Sequence, residues 1–365
     1  MINTQMLLKA MNEKGASDMH LRVGEPPVFR INGALFRIQM ETLSPADMEQ
    51  VLQQLLQPAQ IEHFNQNHEL DMAVGISGVG RFRVNVFRQR GTPSLAIRAI
   101  RTDVPKFEEL GLPEVILDIA MRKRGLILVT GTTGSGKSTL LSGMIEHINN
   151  NVAHNIITVE DPIEYLYRDK KSIIVQREVG PDTHDFGVAL RSCFRQDPDV
   201  ILIGEIRDKE TMEIAASAAD TGHLVMSTLH TMNVVETISR VISFFPPHQH
   251  DQIRLVLASV LVSIISLRLL PRKDGNGRVP AVEILINNAN IAESILDLNR
   301  THMILPAVAD GFTQYGSQTF DQSLLQLYKD DLITFQVAKQ YATNPDDFEL
   351  RVKGVEGASD RSWIK

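Results

Sequence analysis

Nine residues, 131–139, read GTTGSGKST and could hold a polyphosphate. They match G-x-x-x-x-G-K-[ST], and the apolar run 126–129 before them predicts a strand, while TLLSGMIEHINN predicts a helix after them. Glycines let backbone N–H groups converge on phosphate oxygens, and a helix N-terminus adds partial positive charge. Lys137 is suited to the β- and γ-phosphates and Ser138 to Mg²⁺. The motif therefore predicts ATP and magnesium binding by Gly131, Thr132, Thr133, Gly134, Ser135, Gly136, Lys137, Ser138 and Thr139.

Carboxylates follow two other predicted strands. The apolar residues 200–203 lead to Glu205, which stands where an aspartate is usual and would act through magnesium-bound water. The stretch ITVEDPIEY ends a strand with Glu160, Asp161 and Glu164. Hydrolysis of ATP needs a carboxylate near Mg²⁺ and a group that orients the attacking water. These acids are candidates for both tasks, and a solvated acidic turn is the structural alternative for the second group.

Two histidines bracket an apolar run in TGHLVMSTLHT, residues 221–231. If residues 224–229 form a strand, the seven-residue spacing separates His223 from His230 by roughly 23 Å. No single ion or substrate atom can contact both imidazoles. In a parallel sheet, His230 would lie at the edge that carries the phosphate loop and His223 at the opposite edge.

The bulk composition restricts the class of protein. The chain has 365 residues, a formal net charge of −7 and one cysteine, Cys193. The acidic balance argues against a protein whose main task is nucleic-acid binding. One cysteine excludes an intrachain disulfide or cysteine-based zinc site and favours the reducing cytosol. The apolar segment 255–267 is shorter than the ~20 residues of a membrane span and is predicted to be a buried helix.

The order of the patterns predicts an α/β fold class. Residues 1–101 predict a small α+β domain with a hairpin at Asn32-Gly33, and residues 102–113 read as a linker. In residues 114–270, strands alternate with helices, which is typical of a parallel sheet covered on both faces. Residues 271–365 predict a mostly helical region that completes the core and ends in a loose tail at 355–365.

Several ordered segments resemble the type II/type IV pilus secretion ATPases, most closely their pilus-retraction, twitching-motility branch (PilT/PilU-like). GTTGSGKST is similar to the family's Walker A motif, TVEDPIEY to its aspartate box, ILIGEIRD to its atypical Walker B motif and TGHLVMSTLHT to its histidine box. ASDMHL near the start, QREVG, LRLLP and TFDQSLLQLYKDDLI also resemble family segments. The resemblance covers most of the chain and implies a RecA-like P-loop ATPase core preceded by a PAS-like domain.

The resemblance also implies roles for individual residues. It implies that Glu164 is the general base that orients water and that Glu205 is the Walker B carboxylate, near the metal. It implies that His230 senses the γ-phosphate. It also implies that His223 is a second histidine-box residue, which we expect to take part in nucleotide binding. A histidine satisfied at a strand end remains the structural alternative for both.

The family forms homohexameric rings in which the N-terminal domain packs against the core of the neighbouring subunit. The resemblance therefore makes Arg81, Arg83, Arg88 and Arg98 candidates for an arginine supplied to that core, with Arg83 and Arg98 favoured. Such an arginine can contribute about 10³–10⁵ in rate. The implied partners are an inner-membrane pilus platform protein and the pilus machinery. The expected location is cytoplasmic, peripheral at the inner face of the cytoplasmic membrane, without membrane insertion or nucleic acid.

The expected function is a hexameric ATPase motor for type IV pilus retraction. Family motors for secretion or pilus assembly carry a four-cysteine zinc insertion and a longer N-terminal region, whereas this chain has one cysteine and 130 residues before its phosphate loop. NIAESILDLNR stands where PilT proteins carry an Ala-Ile-Arg motif, which leaves a PilU-like role open. The alternatives are a secretion or pilus-assembly ATPase, a RecA-like nucleic-acid-dependent ATPase and a small-molecule kinase.

Overall fold

The computed structural model describes residues 2–31, 33–100 and 104–354. It divides into two compact units. The smaller contains Met1–Asp103 and Glu164–Leu166, and the larger contains Val104–Ile163 and Tyr167–Lys365. Within these described ranges, no helix is long and apolar enough to cross a membrane.

The N-terminal unit is an antiparallel sheet of six strands in the order β3-β2-β1-β6-β5-β4, with three helices. Its elements are α1 (Thr4–Glu13), β1 (Asp18–Arg22), β2 (Val28–Ile31), β3 (Ala34–Arg37), α2 (Pro45–Leu55), α3 (Pro58–Asn67), β4 (Glu69–Ile76), β5 (Gly80–Gln89) and β6 (Thr92–Ala99). The predicted hairpin strands β2 and β3 pair, although Asn32 lies outside the described residues. The α+β character of this region is confirmed.

Local sequence explains these elements. Ser44 accepts a hydrogen bond from the Asp47 backbone, and the Asp47 carboxylate accepts one from the Ser44 backbone, which fixes the start of α2. On β5, Phe82 and Val84 are buried while Arg83 between them is exposed, as the period of two in a strand requires. Helix α3 was not anticipated, because its sequence PAQIEHFNQN has little apolar periodicity.

The larger unit contains a sheet of seven strands in the order β13-β12-β7-β11-β10-β8-β9. Its strands are β7 (Gly125–Thr130), β8 (Asn155–Glu160), β9 (Ile173–Glu178), β10 (Val200–Ile203), β11 (Leu224–Leu229), β12 (Leu261–Pro271) and β13 (Arg278–Ile286). Its α-helices are α4 (Val115–Ala120), α5 (Lys137–Asn151), α6 (Phe186–Cys193), α7 (Lys209–Asp220), α8 (Val234–Ser243), α9 (His250–Val260), α10 (Ala289–Leu296), α11 (Ile304–Asp310), α12 (Phe312–Tyr315), α13 (Phe320–Lys329), α14 (Phe335–Tyr341) and α15 (Pro345–Val352). Three short 3₁₀ turns occur at Phe107–Leu110, Pro247–Gln249 and Leu298–Met303.

Both faces of this sheet are covered, as the near-continuous apolar strands predict. Successive residues of β7 enter different cores: Leu126 and Leu128 pack in one cluster with residues of α6–α9, while Ile127 and Val129 pack in another with residues of α4 and α5. Phe107, within the stretch predicted as a linker, also lies in the second cluster. The strands that carry the phosphate loop and the histidine box are therefore fixed from two sides.

One expectation was wrong. The apolar run 255–267 is not one buried helix, because α9 ends at Val260 and β12 begins at Leu261. Periodicity cannot separate a buried strand from a buried helix in such a run. The strands from β7 to β12 pair in parallel as predicted, and β13, in the region after residue 271, adds an antiparallel edge strand beside β12. The predicted tail at 355–365 lies outside the described residues.

The one-sided burial of α9 can be tested with two of its leucines. Leu257 is fully buried, whereas Leu255 is 63% exposed. Leu257→Ala should lower the free energy of unfolding by about 2–5 kcal/mol, because it leaves a cavity in the core. Leu255→Ala is the matched control and should change it by less than about 0.5 kcal/mol. Equal losses in denaturant unfolding would indicate a helix buried all round and contradict the one-sided burial.

Candidate functional site

The phosphate loop joins β7 to α5 in a conformation that requires glycine. Gly131, Gly134 and Gly136 have φ angles of 142°, 78° and 100°. A Cβ on Gly131 would lie 2.4 Å from Ser135 Oγ and 2.6 Å from the carbonyl oxygen of Leu267 on β12. The sequence pattern is therefore explained by positive φ and by the close approach of two backbones.

Lys137, the first residue of α5, folds back over this loop. Its Nζ donates to the carbonyl oxygens of Gly131 at 2.7 Å and of Thr132 at 3.1 Å. Burial lowers the pKa of Lys137 below its usual value, and the nearby charge of Glu205 opposes that effect. The ammonium group is buried with carbonyls as its hydrogen-bond acceptors, so a phosphate in the loop would give it a formal charge partner.

Ser135 supplies an independent test of whether the loop suits a phosphate. Its Oγ is buried, and no hydrogen-bond partner for it exists among the described residues. A buried hydroxyl without a partner costs free energy, and such an atom at a functional site calls for a ligand or water. Ser138, three residues later, is exposed at the start of α5. The loop residues therefore fit the nucleotide phosphates that the sequence predicts.

Three neighbouring parallel strands bring the other polar groups to the same edge. The order β7-β11-β10, with Leu229 opposite Thr130, places His230 beside the start of the phosphate loop. His230 Nε2 lies 3.4 Å from Oε2 of Glu205, which follows β10. Glu205 also forms an ion pair with Arg207. The predicted position of His230 at the phosphate-loop edge is confirmed.

His223 lies at the other end of β11. Its carbonyl oxygen accepts the Gly125 N–H at 3.0 Å, and its Nδ1 lies 3.0 Å from the carbonyl oxygen of Ala218. Its ring also meets Phe194 edge-on at 5.8 Å between centroids. The six-residue strand separates this imidazole from the phosphate loop of its own chain. The geometry therefore does not support His223 as a ligand of that nucleotide.

The aspartate box divides into a buried acid and exposed ones. Glu160, the last residue of β8, is buried, and its Oε1 accepts from Thr158 Oγ1 at 2.7 Å and from Gln176 Nε2 at 3.3 Å. Asp161 and Glu164 are exposed on the segment that follows. Of the three acids in the box, Glu160 is held inside the sheet and the other two have carboxylates accessible to solvent.

Gly204 allows the Walker B strand to pass close to the aspartate box. A Cβ at this position would lie 3.3 Å from Glu160 Cα and 3.4 Å from the Val159 carbonyl oxygen. These contacts are tighter than most Cβ atoms make, so a larger residue would push the end of β10 away from β8. Gly204 therefore helps to fix the position of Glu205.

In the N-terminal unit, the favoured arginines form a cross-strand pair, Arg83 of β5 opposite Arg98 of β6. Arg98 donates from Nε to Asp18 on β1 at 2.8 Å, while Arg83 is exposed and meets no acid among the described residues. Asp18 was missed as a functional candidate, although it lies in the quoted ASDMHL segment.

The two other candidate arginines have interaction partners. Arg88 donates to Asn65 at 3.1 Å and stacks over Phe64 at 5.1 Å from the ring centroid. Arg81 is half-buried and has interaction partners. Arg83 is thus the candidate whose guanidinium is most open to an outside anion.

The chain is similar to known proteins over most of its length. A model of the type II/IV secretion system protein family matches residues 1–303. The chain belongs to this family. It is 40% identical over 357 residues to the type IV pilus ATPase PilU of Pseudomonas aeruginosa, covering 98% of this chain and 93% of that protein. It is 41% identical over 342 residues to the type IV pilus retraction ATPase PilT of the same organism, covering 94% and 98%.

A solved structure shows the same fold. The crystal structure of the pilus retraction motor PilT with bound ADP superimposes with a TM-score of 0.87 at 44% identity and covers 96% of this chain and 99% of that one. The predicted membership in the type II/IV secretion family and the α/β fold class are confirmed.

The two histidines should respond differently to substitution. His230→Ala removes an imidazole at the phosphate-loop edge, so it should weaken the preference for an ATP analogue over ADP by about 1.5–3 kcal/mol while ADP affinity stays nearly unchanged. His223→Ala is the matched control at the far end of the strand and should alter stability more than this preference. Calorimetric titration of both nucleotides decides, and equal losses in the two variants would remove the single-sensor assignment.

Proposed function

We propose that this chain is an ATPase motor that retracts type IV pili and works as a homohexamer. The observation that carries the proposal is the convergence of Lys137, Glu205 and His230 at one sheet edge. Near-full-length similarity to two pilus ATPases supports the cellular role. The machine it serves is the type IV pilus, through an inner-membrane platform protein at the inner face of the cytoplasmic membrane.

The phosphate loop binds the β- and γ-phosphates of ATP. Lys137 exchanges its two carbonyl partners for phosphate oxygens, and Ser135 Oγ gains the partner that the protein does not supply. Ser138 and Glu205 are the residues that would hold Mg²⁺, which neutralises phosphate charge when bound. To take this part, Glu205 must release Arg207, its present ion-pair partner.

Glu164 is the proposed general base. It accepts a proton from a water molecule as that water attacks the γ-phosphorus, and the bond to the bridging oxygen breaks to leave ADP and inorganic phosphate. The exposed carboxylate at position 164 is accessible to such a water. His230 then reports whether the γ-phosphate is present, by donating an imidazole N–H to one of its oxygens.

Arg83 of a neighbouring subunit completes the proposed reaction. Asp18 forms an ion pair with Arg98, so Arg83 is the member of the cross-strand pair whose charge this carboxylate does not neutralise. An arginine that reaches the γ-phosphate stabilises the charge of the transition state. Because this arginine belongs to the N-terminal unit, its arrival couples nucleotide hydrolysis to domain position, as a motor requires.

The cellular role can be tested by complementation in a piliated bacterium that lacks its own retraction ATPase. The wild-type chain should restore pilus shortening and surface motility. Glu164→Gln should bind ATP but slow hydrolysis by roughly 10²–10⁴, and should therefore fail to restore motility. Glu114→Gln, at an exposed glutamate outside the site, is the control.

Two other outcomes would point to other functions. Restored surface pili in a strain that lacks the assembly ATPase, without restored shortening, would indicate an assembly motor. ATP turnover that rises several-fold with single-stranded DNA would indicate the nucleic-acid-dependent class.

The proposed trans role of Arg83 predicts complementation between two inactive variants. Arg83→Ala should reduce turnover by about 10³–10⁵, and Lys137→Ala should also be inactive. Rings assembled from both variants should regain activity, because Lys137→Ala subunits still supply Arg83 to intact phosphate loops. Arg37→Ala, at an exposed arginine of the same unit paired with Glu25, is the control and should keep its rate. Mixed rings that stay inactive would contradict the trans assignment.

A further inference from the structure

One buried carboxylate accepts a hydrogen bond from the start of a helix. Glu283 is the only acid on β13, and it is 2% exposed. Its Oε1 accepts the backbone N–H of Val234, the first residue of α8, at 2.8 Å. The N–H groups at a helix start have no partner within the helix, so Glu283 satisfies one such donor of α8.

Helix α8 carries the histidine-box segment. Residues 230–233 connect β11 to α8, and Val234 comes four residues after His230. The segment is bonded at other points as well: Thr231 Oγ1 lies 2.7 Å from Thr237 Oγ1, and the Met232 N–H donates to Glu236 at 2.9 Å. These contacts stay within the segment and α8. The hydrogen bond to Glu283 joins the start of α8 to the sheet.

The sheet side of this contact leads to the phosphate loop. Glu283 pairs with Ser266 of β12, whose Oγ lies 2.8 Å from Thr130 Oγ1. Thr130 directly precedes Gly131 and pairs with Leu229, the residue before His230. Both ends of residues 230–233 are thus attached to the same sheet. The first end continues from β11, which pairs with β7, and the last end is held by the hydrogen bond of Val234 to Glu283.

The buried surroundings of Glu283 disfavour the ionised form of its carboxyl group. Burial raises the pKa of Glu283 to about 7, and the hydrogen bond from Val234 and the charge of Arg268 counteract part of this effect. The Arg268 guanidinium lies 3.7 Å from the centroid of the Phe320 ring and donates to the Tyr341 carbonyl at 2.9 Å. Asp321, whose pKa burial also raises, opposes ionisation of Glu283. An apolar residue could fill this volume but could not accept the backbone N–H of Val234, which would be left unpaired.

We propose that Glu283 is a positioning residue for His230. By accepting the hydrogen bond from Val234, it fixes the histidine-box segment against the phosphate loop. The proposal rests on the γ-phosphate role proposed above for His230. It makes the ATP-over-ADP preference depend on a residue that contacts no nucleotide.

The first test is a double-mutant cycle in the full-length protein between Glu283→Gln and His230→Ala. Gln keeps the shape of Glu283 but has no negative charge, so the oxygen that it can present to the Val234 N–H is a weaker acceptor than a carboxylate oxygen. Affinities for ADP and for a non-hydrolysable ATP analogue are measured by calorimetric titration. Glu283→Gln should lower the ratio of these affinities by roughly threefold to tenfold, with ADP affinity nearly unchanged. In the His230→Ala background, the same substitution should cause no further change.

A second variant removes the hydrogen bond from the other side. Val234→Pro lacks the donating N–H but suits the first position of α8, and Asn233 before it already has the extended φ and ψ of −158° and 172° that a following proline favours. The buried carboxylate and its other contacts remain. This variant should reproduce the loss of ATP preference, and it carries the test if Glu283→Gln does not fold.

The matched control is Ser323→Ala. Ser323, on α13, is buried and its Oγ accepts the N–H of Val282, the residue before Glu283, at 3.1 Å. Its removal loosens β13 against α13 but leaves α8 untouched, so the unfolding midpoint should fall while the nucleotide preference stays the same. An equal loss of preference in Ser323→Ala would overturn the proposal, because general loosening would then explain it.

The outcomes separate the two proposals. If His230→Ala lowers the preference and Glu283→Gln adds its own loss independently, the sensor role stands and the positioning role fails. If His230→Ala has no effect, the sensor role fails. A loss in Glu283→Gln alone would then show that Glu283 acts without His230, which also overturns the positioning role.

Discussion

Parallel pairing of β7, β11 and β10 is the constraint on which the site depends. The carboxyl ends of parallel strands lie at one edge, so the phosphate loop, Glu205 and His230 meet there although they are far apart in sequence. The register is fixed because alternate residues enter cores on opposite faces. A slip of one residue would exchange the two faces of a strand, and both sets of helices oppose that exchange.

The charged groups at this edge already have partners within the protein. Lys137 donates to two loop carbonyls, and Glu205 pairs with Arg207 and lies near His230. We therefore expect nucleotide binding to replace these hydrogen-bond and ion-pair partners with phosphate oxygens and a metal ion. Neutral carbonyls give way to phosphate oxygens at Lys137, which is a gain for a buried ammonium. In the proposed mechanism, the release of Glu205 from Arg207 would also free a cation close to the site.

Much of this site could be predicted from the sequence, because its signals are local. The phosphate loop, the strand ends at Glu205 and His230 and the parallel order all follow from motifs and short apolar runs. The break between α9 and β12 could not, since both halves of the run are apolar. Glu283 lay in a strand whose antiparallel pairing was not foreseen. The ion pair of Asp18 with Arg98 joins residues 80 positions apart, and only the register of the folded sheet brings them together.

On the N-terminal sheet, in contrast, neighbouring arginines outnumber the carboxylates that pair with them. Arg83 and Arg98 stand directly opposite each other, and like charges in such a pair repel. Asp18 on the next strand relieves this repulsion by forming an ion pair with Arg98. Its Oδ2 also lies 3.9 Å from Nε of Arg30. Arg98 and Arg30 thus share one carboxylate, and Arg83 lies two strands away from it in the sheet. An anion brought to Arg83 would remove a repulsion as well as form an ion pair, so the proposed approach of Arg83 to a phosphate of another subunit would also stabilise the sheet.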